Sequence, residues 1–225
     1  MTWFGELYRS AVAKKAVMAL TGSVLFGFVL GHMAGNLKVF QGPDKFNAYS
    51  EWLRQMGYPA LPHGGALWVA RLALLGAVGL HIWSAVALAR TNWRARPRDY
   101  AVRRGLQLDY ASRTMQWSGV LLGFYVIYHL MHFTFGNLHH DFVPGDAYHN
   151  LVSGFQIWPI SLVYILANLL LGIHLYHGLW SMFQSLGLNY PAYNAWRRRF
   201  AITFSVVVAV GFILVPLAVL TRIVS

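Results

Sequence analysis

Residues Gly172–Gly187 read GIHLYHGLWSMFQSLG, with His174 and His177 set inside an otherwise apolar run. An ionisable side chain at membrane depth costs at least a few kcal/mol when charged, so it is rarely placed there without a partner or a function. What surrounds the run decides whether it lies in a membrane. The chain has 225 residues, 57% hydrophobic and only 11% charged, with a mean hydropathy of +0.46. Soluble domains carry about a quarter charged residues. The composition therefore points to an all-α integral membrane protein.

Five apolar stretches reach the roughly 20 residues a helix needs to cross about 30 Å of hydrocarbon. They lie near residues 16–38, 66–90, 115–137, 157–182 and 200–222, and the whole chain, 1–225, reads as one transmembrane domain. MTWFGELYRSAVAKK, residues 1–15, lacks the apolar core and small-residue cleavage site of a signal peptide. It is expected to lie along the cytoplasmic interface on Trp3, Phe4, Leu7 and Tyr8.

The net charge of +11 gathers at the ends of apolar runs, which suits membrane orientation and not nucleic acid. Arg9, Lys14 and Lys15 precede the first run; Arg94, Arg96, Arg98, Arg103, Arg104 and Arg113 fill the second connection; Arg197, Arg198 and Arg199 precede the fifth run. The third connection holds neither Lys nor Arg. By the positive-inside rule the N-terminus is cytoplasmic and the C-terminus lies outside. The stretch from Arg94 to Arg113 offers a docking surface for soluble partners or for anionic lipid.

Cysteine is absent, so thiolate-ligated clusters and covalently attached c-type haem are excluded. Ten histidines remain. His63, His139, His140 and His149 fall in loops and read as solvated surface groups, whereas His32, His81, His129, His132, His174 and His177 fall within or near the spans.

These six sit in a repeat. GLHIWSA around His81 matches GIHLYHG around His174, and GFVLGHMAGNL echoes GFYVIYHLMHFTFGNL. His32 and His129 are 97 residues apart; His81 and His174 are 93 apart. A helical hairpin used twice would give a four-helix bundle, with the fifth helix added. At 1.5 Å per residue, His32 and His129 both lie about 24–25 Å beyond the basic residues Lys15 and Arg113. His81 and His174 share a second level, each roughly 14 Å from the cytoplasmic end of its span. Zinc would ask for a third or fourth protein ligand. Haem needs only two axial ligands, and imidazole suits its iron. Hydrogen bonding between helices is the plainer role for any one such histidine, but four at matched depths on alternating helices favour two bis-histidine haems. His132 and His177 each follow a candidate ligand by three residues, on the same helix face and nearer the membrane surface. There they are placed to hydrogen-bond a propionate or a quinone. Arg71, inside the second span, suits the same acidic partners or snorkels to the interface; Lys15, Arg113 and Arg90 are the corresponding cations on the cytoplasmic side.

FVLGHMAGNLKVFQG, GLHIWSA, SGVLLGFYVIYHLMHF and GIHLYHGLWSMFQSLG, in that order, resemble the cytochrome b membrane anchor of succinate:quinone oxidoreductases (succinate dehydrogenase and fumarate reductase) in its single-chain, five-helix, di-haem form. The resemblance covers nearly the whole chain. It implies two b haems, a distal one on His32 and His129 and a proximal one on His81 and His174, the latter chosen over His177. It also implies an FAD flavoprotein and an iron–sulfur subunit on the cytoplasmic face of a bacterial inner membrane, a quinone acceptor, with menaquinone favoured, and the option of a higher oligomer. This chain would carry electrons and do no dicarboxylate chemistry. One departure is that all seven acids, Glu6, Asp44, Glu51, Asp99, Asp109, Asp141 and Asp146, lie outside the apolar spans, so no intramembrane carboxylate is available to relay protons. The rival readings are the di-haem cytochrome of another quinone-linked dehydrogenase, such as hydrogenase or formate dehydrogenase, and a haem-free transporter whose histidines carry protons.

Overall fold

A computed structural model describes residues 10–94 and 106–225 of the chain, with side chains from residue 114 onward in the second stretch. Every regular element among the described residues is helical. Helix α1 spans Ala11–Asn36; its Ser10 cap accepts a hydrogen bond from the Ala13 amide at 3.1 Å, which satisfies one of the free donors of the first turn. A short 3₁₀ turn, Leu37–Gln41, follows and ends at Gly42, whose φ of 92° is open to glycine at little steric cost. Helix α2, Pro43–Gln55, then occupies the connection between the first two apolar stretches. Its signal is weak at membrane scale because it is short and one-sided, with Phe46 the residue it buries.

Helices α3 (Gly65–Arg94) and α4 (Leu106–His129) come next. α4 does not continue as a regular helix to residue 137. A π-helical turn, Leu130–Thr134, begins at the residue after His129 and ends the element early. Helix α5, Ala147–Gln156, is capped by Asp146, and α6 (Trp158–Ser185) and α7 (Asn194–Leu220) complete the chain. Among the described residues, four stretches are long and apolar enough to cross a membrane: Ala11–Gln41, Gly65–Arg94, Trp158–Ser185 and Pro191–Leu220. They match four of the five expected spans. Their large apolar side chains point outward; Leu72 and Leu75 are 62% and 70% exposed, an arrangement suited to lipid.

α1 packs along α3, and α4 packs along α6. The two pairs meet where α1 approaches α6, while α7 lies against both α6 and α1. Small residues allow that last approach. A side-chain carbon at Gly172 would lie 3.0 Å from the Ala209 Cβ, and one at Gly211 would lie 2.1 Å from the Met33 sulfur. Phe26 packs against Phe204 with ring centroids 4.1 Å apart and planes tilted by 32°.

Each end of the bundle is closed differently. At the end holding His32, the chain between α4 and α5 folds back as a cap on α2, α5 and the last turns of α7, over a core that includes Val39, Phe46, Phe155, Tyr164 and Val215. Asn47 joins the pieces: its amide donates to Asp146 at 2.9 Å and its carbonyl accepts from the Tyr148 amide at 2.9 Å. At the other end Arg197 is 1% exposed. It donates to the Leu188 carbonyl at 2.8 Å, to the Asn189 side chain at 3.0 Å and to Asn194, and lies over Trp180. Of the three arginines read as a charge signal, only Arg198 and Arg199 face outward. Arg197 fastens the turn between α6 and α7.

Candidate functional site

The four span histidines meet as two couples, each crossing between the two helix pairs. His32 of α1 faces His129 of α4 with ring centroids 5.8 Å apart and planes at 79°. His81 of α3 faces His174 of α6 at 6.4 Å and 63°. The couples thus join helices that do not pack closely on one another. Two imidazoles sharing one metal atom would have centroids about 6 Å apart, a metal–nitrogen distance of about 2 Å plus half a ring on each side. Both couples stand near that spacing.

Their depths follow from what each ring touches. A side-chain carbon at Gly22 would lie 3.4 Å from the His81 ring, so His81 is level with the Thr21–Gly22 turn of α1. His32 is ten residues further along α1, about 15 Å at the helical rise. The two levels are therefore wider apart than the difference between the depths of about 24–25 Å and roughly 14 Å read from the charge boundaries, because loop charges mark the ends of spans only loosely. On α4 the Ser118–Gly119 turn meets His174 in the same way: a side-chain carbon at Gly119 would lie 3.7 Å from its ring.

The His81–His174 couple has defined ring orientations. The Thr21 hydroxyl donates to the Val17 carbonyl at 2.7 Å and lies 3.3 Å from His81 Nδ1. With its proton on the closer carbonyl, the hydroxyl accepts from Nδ1–H. The Ser118 hydroxyl lies 3.2 Å from the Met115 carbonyl and 3.1 Å from His174 Nδ1. With Nδ1 protonated on each ring, Nε2 keeps its lone pair. Two imidazoles with Nε2 free, 6.4 Å apart between ring centroids, suit a shared metal ion.

The His32–His129 couple has an apolar and aromatic setting. His32 stacks on Phe28 at 5.3 Å and touches Phe212, while His129 is surrounded by Tyr125, Phe133 and Tyr164. The His129 Nδ1 is buried with no hydrogen-bond partner. Beside His32 is a cavity of about 160 Å³ lined by Gly35, Asn36, Phe46, Tyr49, Ser50, Leu53 and Ala147.

The remaining sequence candidates separate. The π turn rotates His132 out of line with His129 and into the cap, where it is 0% exposed. Its Nδ1 shares a 2.9 Å hydrogen bond with the Tyr164 hydroxyl, its ring stacks on His139 at 4.8 Å, and its Nε2 has no partner. His132 is thus an interior residue and not an interfacial one. His139 is also buried, against the expectation of a solvated loop residue, because its Nε2 donates to the Asn150 carbonyl at 2.8 Å. His63, His140 and His149 stay outside; His63 pairs with Glu51 at 3.1 Å and His149 with Asp141 at 2.9 Å. The Glu51 carboxyl is drawn down to about 2 by Arg54, His63 and Gln55. His177 is half-buried next to Tyr176. Arg71 lies exposed over the face of Trp68 at 5.1 Å, the geometry of an interfacial cation–aromatic pair. Lys15 is exposed in the first turns of α1, and the side chain of Arg113 lies outside the described residues.

Thr21 and Ser118 were not among the sequence candidates. The signal was available: they are 97 residues apart, the offset that relates His32 to His129, and each is followed by glycine.

Among the described residues, His, Cys, Asp and Glu nowhere gather in groups of three or more able to hold a bare metal ion. The histidines come in twos. That donor set suits a metal whose other ligands arrive with it, as the four nitrogens of a porphyrin do. No family model, curated protein or solved structure matches this chain.

Proposed function

We propose that the chain is the di-haem cytochrome b membrane anchor of a succinate:quinone oxidoreductase. The carrying observation is the pair of cross-helix imidazole couples, spaced to share a metal atom and stacked along the bundle. The ordered motifs around those four histidines supply the family. In this reading α4 with its π turn is the fifth membrane span, the N-terminus faces the cytoplasm, and the His32 end of the bundle faces outward in a bacterial inner membrane.

Two bound haems would supply one-electron carriers at two depths, between an iron–sulfur partner on the cytoplasmic face and a membrane quinone. The chain's own residues do the rest. His81 and His174 hold the inner site, and Thr21 and Ser118 orient them. His32 and His129 hold the outer site in apolar surroundings that keep water away and favour the less charged state of the metal centre. Asn36, Tyr49 and Ser50, lining the cavity beside His32, offer polar groups to a quinone carbonyl or a propionate. The absence of acids from the spans leaves proton exchange to the surface-facing groups.

The test is to purify the native complex, identify its partner chains and record a redox-titrated visible spectrum. A b-type α-band, two haems per chain, and flavoprotein and iron–sulfur partners are expected. A colourless preparation overturns the proposal, and a metal–sulfur dehydrogenase partner without flavin assigns the anchor to a different enzyme.

A further inference from the structure

We infer that Thr21 and Ser118 are positioning residues that tune one of the two metal centres and leave the other alone. The inference rests on the haem reading above and extends it from the ligands to the hydroxyls behind them. Thr21 on α1 seats His81 of α3, and Ser118 on α4 seats His174 of α6. Each hydroxyl thus serves the histidine of the helix that its own helix packs against. Each is followed by a glycine, Gly22 or Gly119, on which a side-chain carbon would come into ordinary contact with the same imidazole. The internal repeat has therefore duplicated a three-part unit: a hydroxyl, a glycine beside the same ring, and, eleven residues after the hydroxyl, a histidine of the other couple.

The hydroxyls have a chemical consequence as well as a steric one. An acceptor on Nδ1–H holds the ring in one tautomer with Nε2 free to ligate, and it makes the imidazole a stronger donor to the metal. A stronger donor stabilises the oxidised, more positive metal centre. Removing the acceptor should raise that centre's reduction potential. The His32–His129 couple has no counterpart: His129 Nδ1 is buried without a partner. So hydroxyl removal acts on the His81–His174 centre only. The two substitutions also differ in size. The Thr21 hydroxyl stands 3.3 Å from His81 Nδ1, whereas the Ser118 hydroxyl stands closer, 3.1 Å from His174 Nδ1.

The experiment is a redox titration of the purified native complex followed in the visible spectrum and by electron paramagnetic resonance, with Thr21→Val, Ser118→Ala, Thr21→Ser and Ser118→Thr. The expected result is an upward shift of one haem potential in Thr21→Val, a larger one in Ser118→Ala, an unmoved second haem, and wild-type potentials in the two hydroxyl-retaining variants. Loss of one haem from Ser118→Ala, with both kept in Ser118→Thr, is the same result in stronger form. Two haems with unchanged potentials in Thr21→Val and Ser118→Ala overturn the inference while leaving the haem reading intact. So does an equal shift of both haems, or a Ser118→Thr protein that fails as Ser118→Ala does. A colourless wild-type complex overturns the haem reading itself, and this inference with it.

Discussion

His32 and His129 approach edge to face, 5.8 Å between ring centroids, from helices that belong to different packed pairs. Nothing in the local backbone requires this meeting; it follows from how the two pairs pack. On the di-haem reading proposed above, replacing either with alanine should remove the haem of that couple and keep the one on His81 and His174; the reverse holds for His81→Ala and His174→Ala. Haem content per chain, measured by pyridine haemochrome, checks the assignment. His177→Ala should retain both haems, and a drop to one would make His177 the ligand in place of His174.

Tyr164 is the only hydrogen-bond partner of His132 among the described residues, at 2.9 Å, and the imidazole is fully buried with its other nitrogen unpaired. Tyr164→Phe keeps the ring packing but leaves a second buried polar atom unsatisfied, a cost of about 1–3 kcal/mol. The thermal midpoint of the detergent-solubilised protein should fall accordingly. Haem content should be unchanged, because neither residue is a ligand. Loss of the His32–His129 haem would instead place the hydrogen bond in the service of that site.

Met33 follows His32 directly and packs its sulfur where a side chain at Gly211 of α7 would stand. Gly211→Ala should push Met33 aside in a filled core, at a cost of about 1–3 kcal/mol. The disturbance lies one residue from His32 and about 15 Å along α1 from the other couple. Partial loss of the His32–His129 haem, with full retention of the second, is the expected outcome in the haem assay. Equal loss of both would show that α7 acts on the bundle as a whole.

The Asp146 carboxyl is held below its usual range by the His149 amide and then by Asn47. A lowered folded-state pKa stabilises the fold above the ordinary carboxylate pKa of about 3.9, and that contribution disappears as pH falls through the folded value. Asp146→Ala should cost about 1 kcal/mol as a lost helix cap at neutral pH. The difference in thermal midpoint between wild type and variant should shrink on acidification below about pH 4. A difference that is constant with pH would show that the side chain acts by shape alone.

The membrane character, four of the spans and the pairing of four histidines could be read from the chain because each rests on a short-range regularity: run length, charge at run ends, and a repeat offset. The amphipathic α2 escaped that reading because thirteen mostly polar residues carry no signal at the scale of a membrane crossing. His132 escaped it for another reason. Three residues after His129 implies one helix face only if the helix stays regular, and the π turn breaks that premise.

What the sequence determined by itself was therefore periodic and local: which segments are apolar enough to leave water, which ends carry charge, and which histidines recur at a fixed offset. What the tertiary structure alone decided was that Thr21 and Ser118, which share the histidines' repeat offset, stand against the imidazoles of His81 and His174. Thr21 reaches His81 across 60 residues and Ser118 reaches His174 across 56, while His129 has no such partner. A hydrogen bond of about 3 Å between two helices depends on their rotation and relative height, and those follow from the packing of the whole bundle.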